Sequence, residues 1–234
     1  MFFAAFLFLA LCACPFATAD ETTHETTDTI SLDELPEPPS EIAKLVEDAK
    51  ASFYSGRKPW EETKAARERT GVTQRGKRLA GETKFKLQYD FRSHTKWRVR
   101  REKGKRILVM TVTYSRADLK HSHEIWFRRR PYIKNFWDDR LVQHELDHVR
   151  ISMSSVVGST FLKNLKDSRI LRREISESQQ VDKEIVQKFV DEHVEEVFQE
   201  IVSLVSIRYK ELDRVTDHGL NPIPNESKIR GWLN

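Results

Sequence analysis

The chain has almost no cysteine. Its 234 residues include two, Cys12 and Cys14, both close to the start. From residue 15 onward the sequence offers no thiol, so no disulfide can cross-link that part of the chain. Its stability must come from an apolar core, and from a metal ion if one binds.

Long apolar runs are also scarce. The one clear run lies in residues 1–19, and Pro15 interrupts it too early for a membrane span. An A-x-A pattern at residues 17–19 precedes the first charged residue, Asp20. We therefore predict that residues 1–19 are a secretory signal peptide, that the protein is secreted or periplasmic, and that the mature chain has no transmembrane span. The alternative is a lipoprotein anchored through Cys14.

Positive charge is missing from the next segment. Residues 20–41 contain eight acidic side chains and no Lys or Arg, together with several Thr and Pro residues. This composition predicts that residues 20–40 are a disordered linker and that residues 41–234 form a single domain. Removing those eight charges from the net charge of +4 leaves about +12 on the remainder. A domain with this positive charge is expected to attract an anionic polymer of the cell envelope as a possible partner. Few aromatic residues lie among the basic residues at 98–106, so the sequence gives no indication of specific nucleic-acid binding.

The periodicity of the apolar residues predicts an α+β fold. We expect a helix from an N-cap at Ser40 to about Phe53, and a second short helix within residues 59–70. Alternating apolar residues from Phe85 and a turn at residues 102–105 predict a small antiparallel sheet of three or four strands. A helix from about Trp137 to Leu165, broken at Gly158, should then pack antiparallel to a long amphipathic helix that Gly219 ends.

The most informative motif is H-E-x-x-H, formed by His144, Glu145 and His148. Two histidines four residues apart lie on one face of a helix, so both imidazoles can reach the same metal ion. Glu145 can then act as general base toward a metal-activated water. The motif predicts one zinc ion per chain and hydrolysis of an amide bond.

A third ligand is needed, and the spacing excludes one subclass of such enzymes. In H-E-x-x-H-x-x-G-x-x-H the glycine and the last histidine would fall at Ile151 and Ser154, which do not fit. The ligand must therefore come from farther along the chain, on the long helix or in the turn after it.

The order of these features resembles the bacterial secreted zinc-dependent protease family, a zincin-like group largely of unknown function. The resemblance rests on the H-E-x-x-H helix, a D-x-x-T-x-H element at residues 213–218 and a late Trp232, and it spans roughly residues 71–232. Leu212 and Val215 depart from the family, which often has Tyr and an acidic residue there. The resemblance implies a zincin-like fold in which the sheet packs on the metal helix and the long helix.

Within this element the chemistry favours His218 as the third zinc ligand, because a neutral imidazole suits zinc and the following Gly219 allows a close approach. Asp213 would orient a ligand histidine, and Thr216 would form a local hydrogen bond. Tyr209 could bring a phenol to the same region. The fallback ligands are His193, Glu196 and Glu200, while His121 and His123 are expected to be structural or surface residues.

The sequence thus predicts a secreted zinc metallopeptidase that acts on a peptide or protein substrate. The alternative is an envelope-associated binding protein that holds a metal only structurally, or holds none. The two hypotheses differ in whether the metal site keeps an open position and whether Glu145 can be replaced without effect.

Overall fold

A computed structural model describes residues 27–58 and 79–233. The predicted signal peptide and the predicted helix within residues 59–70 lie outside the described residues. The described part is α+β, as predicted, and contains β1 (Thr27–Ile30), α1 (Ser40–Asp48), β2 (Ala51–Gly56), β3 (Gly81–Glu102), β4 (Lys105–Phe127), α2 (Arg140–Met153), α3 (Ser155–Asp167), β5 (Ile170–Ile175) and α4 (Lys183–Thr216). Short 3-10 helices span Leu32–Glu34, Ile133–Asp138 and Lys228–Trp232.

One five-stranded sheet is built around β4. Strand β3 pairs with β4 along nearly its whole length on one side, while β5 and β2 share the other side. Strand β1 adds to the outer edge of β2. The prediction of an antiparallel sheet of three or four strands was wrong in two respects, because the sheet has five described strands and β2 runs parallel to β4. The sheet is therefore mixed.

The hairpin between β3 and β4 follows the predicted turn. Glu102 pairs with Lys105, and the two residues between them, Lys103 and Gly104, both have positive φ angles of 49° and 80°. Two successive residues in this conformation match the right-handed twist of the flanking strands. The turn fixes the register as far as the pair formed by Ser93 and Tyr114. A shift of one residue follows between Ser93 and Arg92, and the pairing then continues to Gly81 and Phe127.

The segment before β3 differs most from the prediction. The linker was expected to be disordered, yet from Thr27 onward it forms β1, and Ile30 is buried in the core. Helix α1 ends at Asp48 instead of about Phe53, because β2 begins at Ala51. Ser40 is the first helical residue, and Pro39 occupies the N-cap. An acidic composition did not prevent order, since the sheet supplies β1 with a hydrogen-bonding neighbour.

Helix α2 carries the H-E-x-x-H motif. Asp139 caps its start, accepting hydrogen bonds from the backbone N–H groups of Leu141 at 2.8 Å and Val142 at 3.2 Å. The predicted single helix is instead two, because Ser154 adopts a non-helical conformation between α2 and α3. The break therefore lies at Ser154 and not at Gly158.

Helix α4 lies against both α2 and α3, as the amphipathic pattern predicted. Phe161 of α3 contacts Phe198 of α4, while Ser168, which follows α3, contacts His193, an earlier residue of α4. The contacts thus run in opposite directions along the two helices. Farther along, α4 reaches α2, where Tyr209 contacts His148. The two shorter helices therefore run antiparallel to successive stretches of α4. None of the described helices is long and apolar enough to cross a membrane.

The buried apolar residues form two clusters on the same face of the sheet. The larger unites α3 and α4 with β5 and the first half of β4, including Leu108 and Met110. The smaller unites α1, β2 and α2 with the end of β4, including Ile125 and Phe127. Helix α2 contributes to both, through Ile151 to the first and Leu146 to the second. Its position is thus fixed from both sides.

Candidate metal centre

The two motif histidines lie where α2 meets the C-terminal end of α4. His144 and His148 are both buried, and their ring centroids are 4.8 Å apart. The spacing of four residues places them one helical turn apart on the same face, as the motif predicted. Both imidazoles point toward α4, so a side chain from that helix completes the arrangement.

That side chain is Asp213. Its Oδ1 atom lies 3.1 Å from Nε2 of His144 and 3.0 Å from Nε2 of His148. One ligand atom from each of these three residues falls within 4.8 Å of the others, and no other such group occurs within residues 27–58 and 79–233. The carboxylate therefore occupies the position that was predicted for the imidazole of His218.

The chemistry of the three donors, and the spacing of Asp213 from each histidine, are compatible with a zinc ion. Zinc takes imidazole nitrogens and carboxylate oxygens at about 2.0–2.2 Å, so neighbouring ligands of a tetrahedral site lie roughly 3.3 Å apart. The two distances to Asp213 are close to that value. Burial alone would raise the pKa of Asp213, but hydrogen bonds from His144 and His148 outweigh it and hold the pKa well below its usual range. The carboxylate is therefore ionised, as a ligand must be.

The two histidines are supported differently at their second ring nitrogen. Nδ1 of His144 lies 3.4 Å from Oγ1 of Thr216, whose hydroxyl donates to the carbonyl oxygen of Leu212 at 2.8 Å. Thr216 therefore orients the imidazole, which is close to the role predicted for it. Nδ1 of His148 is buried and has no hydrogen-bond partner among the described residues.

Glu145 is held from the opposite side by the first residues of β3. The hydroxyl of Thr83 donates to Oε2 of Glu145 at 2.7 Å. Gly81 lies so close to Oε1 that a Cβ atom at this position would overlap it. Burial raises the pKa of Glu145, while His148, His144 and the Thr83 hydrogen bond act in the opposite direction. Gly81 and Thr83 were missed from the sequence, since nothing local marks them as neighbours of the motif.

Tyr209 lies in the site, but its hydroxyl does not point to the metal position. Its ring packs against that of His148 with centroids 4.4 Å apart, while its hydroxyl donates to Oγ of Ser152 at 3.1 Å. Oγ of Ser152 is also 2.6 Å from Nε2 of His123, whose Nδ1 donates to the carbonyl oxygen of Ala49. The structure thus shows Tyr209 packing on His148 and holding Ser152, and its support of a transition state stays a prediction.

His218 lines the same cleft without joining the three-donor group. Its side chain is about half exposed, and its Nδ1 lies 3.5 Å from Oδ1 of Asp213. Helix α4 has ended by this point, and Asp217, His218 and Gly219 all have positive φ angles. Gly219 makes the predicted close approach, because a Cβ atom there would lie 2.9 Å from Cγ of His144.

The other described histidines do not belong to the three-donor group. His193 lies near the opposite end of α4, where its Nε2 is 2.8 Å from Oγ of Ser168, so the fallback ligand on this helix is not supported. His123 is structural, as expected, since both of its ring nitrogens are engaged. Burial lowers its pKa to about 4. His121 stacks beside it, and among the described residues neither ring belongs to a group of three potential metal ligands.

A cleft of about 810 Å³ opens onto the three-donor group. Its walls come from the first residues of β3 on one side and from the end of α4 on the other. Besides the motif residues, it is lined by Leu79, Gly81, Glu82, Thr83, Tyr209, Lys210, Asp213, Asp217 and His218. A ligand in this cleft could therefore reach both the metal position and the Glu145 carboxylate.

Comparisons with known proteins identify no matching family model, no matching curated protein and no similar solved structure. The resemblance to the secreted zinc-dependent protease family therefore stays a prediction from the motifs. The interpretation of the site rests on its own geometry.

The buried state of Glu145 predicts a pH-dependent stability. Since its pKa is raised on folding, its contribution to stability is fully present below the unfolded pKa of about 4.3 and is lost as the pH rises through the folded pKa. In metal-free protein, Glu145→Gln should therefore raise the melting temperature at pH 7 by about 2–4 °C, the shift that 1 kcal/mol produces in a domain of this size.

Thermal denaturation with a chelator, at pH 4 and pH 7, measures this effect. The difference between Glu145→Gln and the unmodified protein should shrink toward zero at pH 4. Glu82→Gln, a cleft residue paired with Lys58, is the matched control and should show no such trend. A difference that is equal at both pH values would contradict the buried, ionisation-resistant state of Glu145.

Proposed function

We propose that this protein is a zinc-dependent hydrolase of amide bonds that acts on peptides. The observation that carries the proposal is the convergence of His144, His148 and Asp213 on one point of a cleft that Glu145 also lines. Two imidazoles and a carboxylate are a ligand set typical of catalytic zinc sites, which use three protein ligands.

His144, His148 and Asp213 would hold the metal, which makes Asp213 a ligand and leaves His218 as a cleft residue. Bound zinc would supply Lewis acidity, lowering the pKa of a water molecule and stabilising negative charge on a substrate carbonyl oxygen. Thr216 keeps the imidazole of His144 in a fixed orientation. Tyr209 packs on His148 and limits the movement of that ring.

Glu145 is the proposed general base. Its Oε2 atom is engaged by the hydroxyl of Thr83, which leaves Oε1 to take a proton from the attacking water. The same carboxyl group would then deliver that proton to the leaving amine. Because burial raises the pKa of Glu145, the protonated form needed for the second step is more accessible than in a solvated carboxylate.

The position of β3 supports an extended peptide as substrate. Among the described strands, β3 pairs only with β4, so its other edge has backbone N–H and C=O groups without a strand partner. The same strand begins at Gly81 and Thr83, which border Glu145. A peptide added along this edge would bring a backbone amide toward the cleft.

The alternative, an envelope-associated binding protein, requires a closed structural metal site or no metal at all. The open cleft favours the hydrolase, because a structural zinc site is filled by four protein ligands. Secretion remains a prediction, since residues 1–19 lie outside the described part.

Zinc content tests the ligand set. Zinc-loaded protein, dialysed and analysed by atomic emission, should hold one zinc per chain, and His148→Ala and Asp213→Ala should lose most of it. His218→Ala should keep it. Asp217→Asn is the matched control, since it changes another acidic residue of the cleft and Asn tolerates the positive φ at that position. Zinc that is lost with His218→Ala and kept with Asp213→Ala would restore the imidazole as third ligand.

Turnover tests the chemistry. A library of quenched fluorescent peptides identifies a substrate for the zinc-loaded protein. On it Glu145→Gln should keep one zinc per chain but lose activity by about 10²–10⁴-fold, the contribution of general acid–base catalysis. Glu82→Gln should stay within a few-fold of the unmodified protein. Full activity in the Glu145→Gln protein would contradict the assigned base.

A further inference from the structure

The sheet has a second face that the helices leave open. Helices α3 and α4 pack on the face that carries Leu108, Met110 and Val112. Because successive residues of a strand point to opposite faces, the alternate residues of β3, β4 and β5 form the other face, here called the outer face. Toward the β3–β4 turn no described helix covers it, and Thr111 and Thr113 are exposed there.

A row of cations lies along the outer face of β3. Lys96, Arg98 and Arg100 occupy every second position and are all exposed. Alternate residues of a strand are roughly 6.6–6.8 Å apart, so three positive charges repeat along one line. None of the three forms an ion pair with a described residue, whereas nearby Arg172 is paired with Glu102. The row, here called the basic strip, therefore presents charge that no ion pair within the described part of the chain neutralises.

Apolar side chains lie beside the basic strip. In the register of the sheet, Arg98 neighbours Val109 of β4, which in turn neighbours Arg172 of β5. Two residues before Val109, Ile107 pairs with Arg100 of β3. Two residues after it, Thr111 pairs with Ile170 of β5, so Ile107 and Ile170 both lie on the outer face. Ile170 is 59% exposed. The outer face thus combines a line of cations with an apolar floor in which Ile107 and Ile170 are accessible, while Val109, only 7% exposed, is buried.

We propose that the basic strip and this floor bind an anionic polysaccharide. Sulfate or carboxylate groups repeated along such a polymer can each meet a Lys or Arg, and guanidinium groups bind these anions in bidentate fashion. The C–H faces of the sugar rings can rest on Ile107 and Ile170, which are accessible on this face. Among described residues 94–113, Trp97 pairs with Met110 on the helix-covered face and His94 is the one aromatic ring on the outer face. The row of aromatic side chains on which successive bases of a single-stranded nucleic acid stack is therefore missing.

This docking surface is separate from the cleft. Arg98 lies 15 residues along β3 from Thr83, a path of about 50 Å at 3.3 Å per residue. A polymer bound at the basic strip would hold the protein in place and leave the cleft accessible. The inference does not rest on the proposed hydrolase activity, since it uses neither the metal site nor Glu145.

Binding to dextran sulfate and to uncharged dextran tests the proposal, because the two polymers differ only in sulfate. The purified protein should bind dextran sulfate and not dextran. The triple variant Lys96→Gln, Arg98→Gln, Arg100→Gln should bind at least 10-fold more weakly. The slope of log K against log salt should become shallower by about 2, given roughly 0.7–0.9 per lost charge contact on polyanions of the nucleic-acid type.

The matched control removes the same charge elsewhere. Lys44→Gln, Arg129→Gln, Lys166→Gln changes two helices and a loop outside the outer face and should weaken binding less than 2-fold. Melting temperatures check that each variant is folded, and the single exchange Lys96→Glu replaces the triple variant if the latter is not. Equal losses in the basic-strip variant and its control would overturn the proposal, since binding would then follow net charge alone.

Two further probes test the sugar component. Ile170→Ser should weaken binding of dextran sulfate at least 3-fold and leave inorganic polyphosphate unaffected. An oligo(dT) strand of equal charge should bind more weakly than dextran sulfate. If Ile170→Ser changes neither affinity, or if oligo(dT) binds as tightly and depends equally on the basic strip, the surface recognises polyanions without regard to sugar and the proposal is wrong.

Discussion

Oδ1 of Asp213 lies 3.0–3.1 Å from Nε2 of both His144 and His148, and the candidate site depends on this contact. The contact exists only if α4 runs antiparallel to α2 and if its C-terminal turns lie beside the turn of α2 that carries His144 and His148. Packing of α3 and α4 in the larger core cluster fixes the path of α4, and both clusters fix α2. A third element, the start of β3, supplies the Thr83 hydroxyl that holds the carboxylate of Glu145. The site is therefore a junction of three elements distant in sequence.

Much of this junction could be predicted from local patterns. The H-E-x-x-H spacing placed both histidines on one face, and the apolar stripe of the long helix predicted its antiparallel packing. Alternating residues predicted the β3–β4 hairpin and its turn. The parallel pairing of β2 with β4 could not be predicted, because it joins Ala51 to His123 across an intervening strand. Order at Thr27–Ile30 likewise depends on a neighbouring strand and not on composition.

The sequence predicts His218 beside the two motif histidines, whereas the structure places Asp213 there, because helical phase and not chemical preference decides which side chain faces α2. Tyr209, Asp213 and Thr216 are spaced by four and three residues, so they share the face of α4 that meets α2. His218 follows the end of the helix, where three residues with positive φ carry the chain away and leave its side chain half exposed. An imidazole is the commoner zinc ligand. The helix, however, fixes the side-chain direction only of residues that lie within it, and His218 does not. Counting along the helix would have favoured the carboxylate.

The most direct test of the account is a crystal structure of the zinc-loaded protein with anomalous scattering recorded at the zinc edge. The account predicts one strong peak bonded to Nε2 of His144, Nε2 of His148 and the carboxylate of Asp213, in the cleft beside Glu145. A peak bonded to the imidazole of His218 with Asp213 displaced from the metal would contradict it. So would a zinc ion enclosed by four protein ligands, since no position would remain for water or substrate.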